Sequence, residues 1–251
     1  MIRTDWHPPP ATANPASSPV AVVILDRPEK KNALTPAMLE ALRVELKRAG
    51  DRAGAIALTG AGAVFCSGFD LSLCRDSSAA LTELLTGLSK VIRLMRDLPV
   101  PIVAAAHGAA IAGGCAILAG ADLVVTHAEC KLGYPVVRLG ISPAVNAPFL
   151  LDAIGHGRTR EWLLGGQILR GEGAFRVGLA HELAPTPERA VELAVSIAVE
   201  LSAKPAAGLT ATKRWLNELS AASASADRSL RTSLGLVGGV EERSRLSALW
   251  C

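Results

Sequence analysis

Aromatic residues are scarce in this chain. Its 251 residues include four Trp, four Phe and a single Tyr, so any core must be assembled from Ala, Val, Leu and Ile. Charge of one sign is also missing: 26 Lys+Arg stand against 23 Asp+Glu, a net charge of +3. Neither a basic stripe nor basic residues interleaved with aromatics is present, which argues against a nucleic-acid partner. The five cysteines (Cys66, Cys74, Cys115, Cys130, Cys251) form no CxxC pair and are odd in number. They read as buried thiols in a reducing compartment rather than as a disulfide frame. HExxH, a P-loop and metal-ligand spacing are absent as well, so no metal is expected. The first residues lack the apolar stretch of a signal peptide and carry three consecutive prolines, so residues 1–19 read as a disordered leader. The apolar stretch Pro101–Val125 is broken by His107 and four glycines, which favours a buried strand, a loop and a small-residue helix over a membrane span. These features point to a soluble, cytoplasmic protein.

Half of the residues are hydrophobic, enough for one large domain. Val20–Leu25 is a β-branched run that reads as a strand. A helix follows, with Thr35 as N-cap, Pro36 at the first helical position and Gly50 as stop. Ala55–Thr59 is a second strand, and Leu81–Leu98 is an amphipathic helix closed by Pro99 and Pro101. Ile102–Ala106, a glycine-rich loop, a helix from near Gly113 and Leu123–Thr126 come next. Strands alternating with helices imply an α/β fold with a mostly parallel sheet. Beyond Gly140 the pattern is helical over 145–154, 159–164, 172–177, 188–203 and 208–220, while the Ser-, Arg- and Leu-rich tail from Ala221 has no clear pattern. Residues 20–200 read as the core and 201–251 as a C-terminal helical region.

Several motifs fail on inspection. Thr59-Gly60-Ala61-Gly62-Ala63-Val64 begins like a dinucleotide fingerprint, but Phe65 stands at the third glycine position and no helix starts there. Cys66-Ser67-Gly68 lacks the glycine that would make Ser67 the centre of a nucleophile elbow. Two other segments carry more. Phe65-Cys66-Ser67-Gly68-Phe69-Asp70-Leu71 follows the second strand, and His107-Gly108 through Gly113-Gly114-Cys115 follows the third and opens a helix. Loops at the C-terminal ends of parallel strands meet on one rim, where such sheets bind ligands. Backbone N–H groups there, one in the first turn of a helix, can face a developing oxyanion. The same glycines also suit close helix–sheet packing, and spacing alone does not choose.

Three segments together resemble the crotonase (enoyl-CoA hydratase/isomerase) superfamily: Arg27-Pro28-Glu29-Lys30-Lys31-Asn32-Ala33-Leu34, Phe65–Leu71, and His107-Gly108 through Gly113-Gly114-Cys115 to Ala121-Asp122-Leu123. The resemblance continues through Lys131-Leu132-Gly133-Tyr134-Pro135 and on to Ala174–Leu179, covering about Val20 to Leu219. The segment Val137–Val145 is similar to the methylglutaconyl-CoA hydratase-like branch. The resemblance implies a spiral of ββα units, a helical C-terminal part that makes a homotrimer or a dimer of trimers, and a coenzyme A thioester as ligand, with no separate cofactor. By motif, the N–H groups of Phe69 and Gly113 would hold the thioester oxygen. Arg27, Lys30, Lys31, Ala33, Ser67, Asp70 and Leu71 would line the coenzyme A, the three cations facing its phosphates. Asp70 and Asp122 also suit capping of their own loops.

The sequence departs from the family where the reaction is concerned. Family hydratases use two glutamates, and the matching positions here are Ala116 and Val136. Ala144 stands where some relatives place an acid. Tyr134, Ser142, Asn146, Arg138 and Cys115 lie in or beside the matching segments; Tyr134 has an acid–base handle given a cationic neighbour such as Arg138, and Cys115 a helix N-terminus. The C-terminal end, Glu241 to Cys251, lacks the aromatic-and-lysine signature of relatives. Two readings remain: an acyl-CoA enzyme of the hydratase/isomerase group, or a non-catalytic acyl-CoA binder that has lost its acids.

Overall fold

The computed structural model describes residues 1–8, 18–75 and 78–250. Its first element corrects the expected leader. Ile2–His7 (β1) is a strand, antiparallel to Val20–Leu25 (β2). Its side chains alternate, with Ile2, Thr4 and Trp6 turned inward and Arg3, Asp5 and His7 outward. Thr4 hydrogen-bonds Glu45 at 2.9 Å and the Trp6 ring lies under Arg52 at 4.9 Å, so a polar edge strand forms because it has a surface to dock on. The rest of the expected leader, residues 9–17, lies outside the described residues.

Pro36–Gly50 (α1) starts as anticipated, with Thr35 Oγ1 accepting from Met38 N at 3.1 Å. Ala55–Gly60 (β3), Ser78–Asp97 (α2), Ile102–Ala106 (β4), Ala109–Ile111 (β5), Gly113–Gly120 (α3), Leu123–His127 (β6) and Lys131–Gly133 (β7) follow. The sheet order is β1-β2-β3-β4-β6 with Glu182–Ala184 (β9) at the far edge, and β2 to β9 run parallel. A second, smaller layer pairs β5 with β7 and β7 with Ile168–Arg170 (β8). Single bridges extend that layer from Leu34 to Phe69 and from Cys66 to Ala110. Each turn therefore runs from a main-sheet strand to a short second-layer segment and then to a helix. This is the expected spiral of ββα units, and it stacks the second-layer segments beside one another.

Ala147–Gly165 (α4) merges two expected helices across a kink at Gly155, whose φ of 74° no helix interior adopts. Gly171–Arg176 (α5), Pro187–Ser202 (α6) and Ala206–Leu219 (α7) match the helical patterns. The tail that had no pattern forms Ala222–Leu234 (α8) and Val240–Ser247 (α9). Ala222, Ala226 and Leu246 join the same buried cluster as the spiral helices, so the C-terminal helices share the core of the spiral. Lys213 on α7, with its side chain 8% exposed, donates to Met95 O, Val100 O and Asp122. Asp122 also accepts from Ile102 N at 2.7 Å, so it ties β4 and α7 together rather than capping its own loop. No single helix among the described residues is long and apolar enough to cross a membrane, and the apolar stretch 101–125 is spent on β4, β5, α3 and β6.

Candidate active site

Phe69 and Gly113 meet at one cavity of about 130 Å³. The parallel bridge positions Phe69: Leu34 N donates to Gly68 O at 2.7 Å and Asp70 N donates to Leu34 O at 2.9 Å. Leu34 is thus served by the residues on either side of Phe69, whose own N–H is directed away from that pairing. Gly68 makes the approach possible with a φ of 102°; a Cβ there would sit 3.1 Å from Ile111 O. On the other wall, Ala112 turns the chain from β5 into α3 with φ 50° and ψ −110°, a costly conformation for alanine, and is held by Ala112 N to Gly133 O at 2.7 Å. Gly113 then stands in the first turn of α3, where its N–H has no intrahelical acceptor. Neither the Phe69 nor the Gly113 N–H donates to a protein group among the described residues. Two residues whose backbone donors find no protein acceptor among the described residues thus line one cavity, and close packing by the glycines of this region is also real: a Cβ on Gly114 would lie 2.7 Å from Cys66 Cβ.

The cavity wall is mostly apolar, with Ser67, Tyr134, Ser142 and Asn146 as its polar members among the described residues. Ala116 and Val136 form part of it, with Leu71, Leu85, Leu88, Leu139 and Ile141. Ser67, Phe69, Leu71, Gly113 and Tyr134 of the expected site residues line it; Arg27, Lys30, Lys31, Ala33 and Asp70 lie outside it. Among the described residues, no Asp, Glu, Lys, Arg or His lines the cavity. Residues 16–234 match the family profile described as enoyl-CoA hydratase/isomerase. The chain belongs to the enoyl-CoA hydratase/isomerase family.

Relatives and solved structures agree with that family. "Enoyl-CoA hydratase domain-containing protein 3, mitochondrial" of Rattus norvegicus is 30% identical over 268 residues, covering 96% of this chain and 89% of its own length. "Probable enoyl-CoA hydratase echA6" of Mycobacterium bovis is 32% identical over 201 residues, 79% of each chain. In fold, an enoyl-CoA hydratase/isomerase from Mycobacterium paratuberculosis superposes with a TM-score of 0.84 at 24% identity, over 98% of this chain and 97% of that one. The enoyl-CoA hydratase from Bacillus halodurans gives 0.84 at 23%, over 98% and 99%.

Outside the cavity, the family's first motif is built around a buried amide. Asn32 Nδ2 donates to Ala61 O, Val64 O and Phe65 O, and its Oδ1 accepts from Arg27 N at 2.9 Å. Lys31 and Asn32 both adopt left-handed backbone, with φ of 51° and 54°, a region asparagine tolerates better than most residues. This framework role went unassigned in the sequence, where Asn32 was one letter of a longer motif. Arg27 does not present a free charge: it donates to Asp70 at 2.8 Å and to Ala33 O at 3.0 Å. Burial raises the Asp70 carboxyl, but hydrogen bonds from Ser72 and Arg27 outweigh it and hold the group below its ordinary value. Asp70 therefore caps locally through Ser72 and also anchors Arg27. Lys30 and Lys31 are exposed and make no ion pair among the described residues, which leaves them as the accessible cations of this segment.

Burial disfavours Tyr134 as a base and Cys115 as a thiolate. Burial, reinforced by Cys115, pushes the Tyr134 phenol well above its ordinary value, so it stays protonated at neutral pH. Arg138 is exposed, and the hydrogen-bond partner that Tyr134 does find is Asn146, whose Nδ2 donates to the phenol oxygen at 2.6 Å. Burial also pushes the Cys115 thiol up to about 12, against any thiolate role. The Asn146 side chain is buried on the cavity wall, and its Oδ1 has no partner.

Proposed function

We propose that this family member binds an acyl-CoA thioester and polarises its carbonyl between the N–H groups of Phe69 and Gly113, without ordinary hydratase chemistry. The observation that carries the reading is that Phe69 and Gly113, whose backbone N–H groups find no protein acceptor, both line one cavity with no charged side chain among its described lining residues. Fixed donors in an apolar, water-poor site stabilise a developing oxyanion strongly, by about 3–4 kcal/mol per donor. Lys30 and Lys31 would meet the coenzyme A phosphates, with Ser67, Leu71 and the Ala33 segment lining the approach. Asp70, neutralised by Arg27, would hold that segment in place.

Hydration and isomerisation both require a group that takes a proton from water or from carbon. Ala116 and Val136 cannot, and no carboxylate elsewhere in the described chain lines the cavity in their place. That observation favours the second reading, a binder or regulator that keeps the thioester cradle, over a working hydratase. Four free, buried cysteines fit a reducing, cytoplasmic setting. A homotrimer or dimer of trimers is supported by α7, where Trp215, Leu216 and Leu219 are each more than half exposed on one helix face. Calorimetry with crotonyl-CoA beside a hydration assay tests the function. Binding without turnover is expected; turnover at ordinary hydratase rates overturns the loss of chemistry, and no binding of any acyl-CoA overturns the thioester reading.

A further inference from the structure

His127 ends β6, is 7% exposed, and stands at the root of the candidate site without lining its cavity. Gly108 N donates to its Nε2 at 3.1 Å. A backbone N–H can only donate, so Nε2 is an acceptor and the neutral ring carries its proton on Nδ1. Gly108 leads directly into β5 and has little room to move. Its carbonyl accepts from Lys131 N at 2.9 Å, and with a φ of 62° a Cβ there would lie 2.0 Å from Ala63 O. β5 in turn sets both candidate donors. Cys66 N donates to Ala109 O and Ile111 N donates to Cys66 O, each at 3.0 Å, which registers the segment that runs on to Phe69. Ala112 and Gly113 follow β5 without a break.

We infer that His127 is a positioning residue for the thioester cradle: its neutral ring holds Gly108 and β5 in place, and its protonation loosens that hold and weakens acyl-CoA binding in acid. This rests on the acyl-thioester reading above. A doubly protonated ring sets an N–H against the Gly108 N–H, so an attraction becomes a repulsion. Burial lowers the His127 imidazole below its ordinary value of 6.5, while Glu129 and Glu188 pull the other way. The ring is therefore neutral at pH 7 and takes up its second proton below 6.5. Around it stand His107 at the end of β4, Glu188 in the first turn of α6, and Glu129, which pairs with Arg170 of β8. Lys131 of β7 is exposed, Glu172 of α5 pairs with Arg176, and β9 places Ala184 opposite His127. His107 is itself lowered by burial and hydrogen-bonds Gly62 O at 3.1 Å, so it supplies no cation to the ring at neutral pH.

Calorimetry with crotonyl-CoA on the full chain, at about pH 7.5, 6 and 5, tests the coupling. His127→Leu removes the acceptor and should bind weakly at every pH. His127→Gln restores an acceptor that does not titrate, and should recover binding and keep it in acid. The ligand's own ionisation cancels in the ratio of wild-type to His127→Gln dissociation constants. Between about pH 6 and 5 the wild-type protein should lose about fivefold against His127→Gln, within the tenfold per pH unit that one proton contributes. Parallel profiles for these two proteins overturn the inference and leave the thioester reading intact. So does a His127→Leu protein that binds as tightly as wild type at neutral pH. Absence of wild-type binding at every pH overturns both. Nuclear magnetic resonance of the wild-type protein reads the same coupling without any variant. The Gly108 amide proton should shift together with protonation of the His127 ring, and an amide that does not move overturns the inference.

Discussion

Asn32 and Asn146 are both buried amides in this chain, and they differ in what the fold leaves them. Asn32 has every bond made: three carbonyls and one N–H depend on it. Asn32→Ala should therefore cost more than an average core truncation, about 3 kcal/mol or more given that each stranded buried group costs about 1–3 kcal/mol. Urea unfolding measures it, and a loss within about 1 kcal/mol would show that the loop relaxes to satisfy its own carbonyls. Asp70 makes a second prediction at this scale. Its carboxyl sits below its ordinary value of 3.8 in the folded chain, so its stabilising contribution is complete at pH values above 3.8. It is lost as the pH falls through the lower folded value. Asp70→Asn should flatten the acid limb of the stability profile; an unchanged limb would assign the acid sensitivity elsewhere. Among the described residues that line the cavity only Tyr134 titrates, and burial raises it further from neutrality, as it raises the neighbouring Cys115 thiol to about 12. Acyl-CoA affinity arising from the cavity should accordingly be flat between about pH 6 and 8 once the ligand's own ionisation is subtracted.

The short helix α3 is the element on which the site turns. It is buried on all sides and carries glycines at its first two positions, because Leu34, Phe69 and Cys66 pack against it. Replacing glycine by alanine inside a helix ordinarily stabilises by up to about 1 kcal/mol. At Gly114 the new Cβ would meet Cys66 Cβ and Cys66 O at 2.7 Å, so α3 must shift and carry the Gly113 N–H with it. Gly114→Ala should lower the melting temperature and weaken thioester binding together. Gly208→Ala in α7, where nothing lies within 4 Å, should instead raise the melting temperature slightly. The same sign for both variants would remove the packing argument. Parts of this were legible in the sequence, since the glycines and the helix start near Gly113 were read from punctuation. The strained Ala112 and the bridge that pairs Leu34 with Phe69 were not, because they depend on contacts with β7 and between distant segments.

Across the molecule, one buried ion pair joins the end of the chain to its middle. Lys213 reaches Asp122, 91 residues away, and two carbonyls, Met95 O in the last turn of α2 and Val100 O just beyond it. Lys213→Ala leaves the Asp122 carboxylate and those carbonyls without their cation, a class of change that costs about 3–5 kcal/mol. Limited proteolysis should then release the helices beyond α6 before the spiral is cut; unchanged digestion would place their anchorage in the apolar contacts of α8. Light scattering on the intact protein should report three or six times the 26.0 kDa of one chain, and a monomer would leave the exposed Trp215 face unexplained.

Local pattern in the sequence was enough for the alternation of strands and helices, the N-cap at Thr35 and the two glycine-bearing motifs, because each depends on neighbours within a few residues. The absence of acids at positions 116 and 136 was also visible there. Tertiary structure decided the rest. A polar N-terminal segment became β1 because β2 offered it an unpaired edge, and the weakly patterned tail became α8 and α9 because the spiral gave their small residues a surface to cover. It also decided that no charged side chain among the described residues lines the cavity, that Arg27 is already neutralised, and that Asn146 is left with an unused acceptor. Those properties come from residues brought together across distant segments, and no spacing along the chain encodes them.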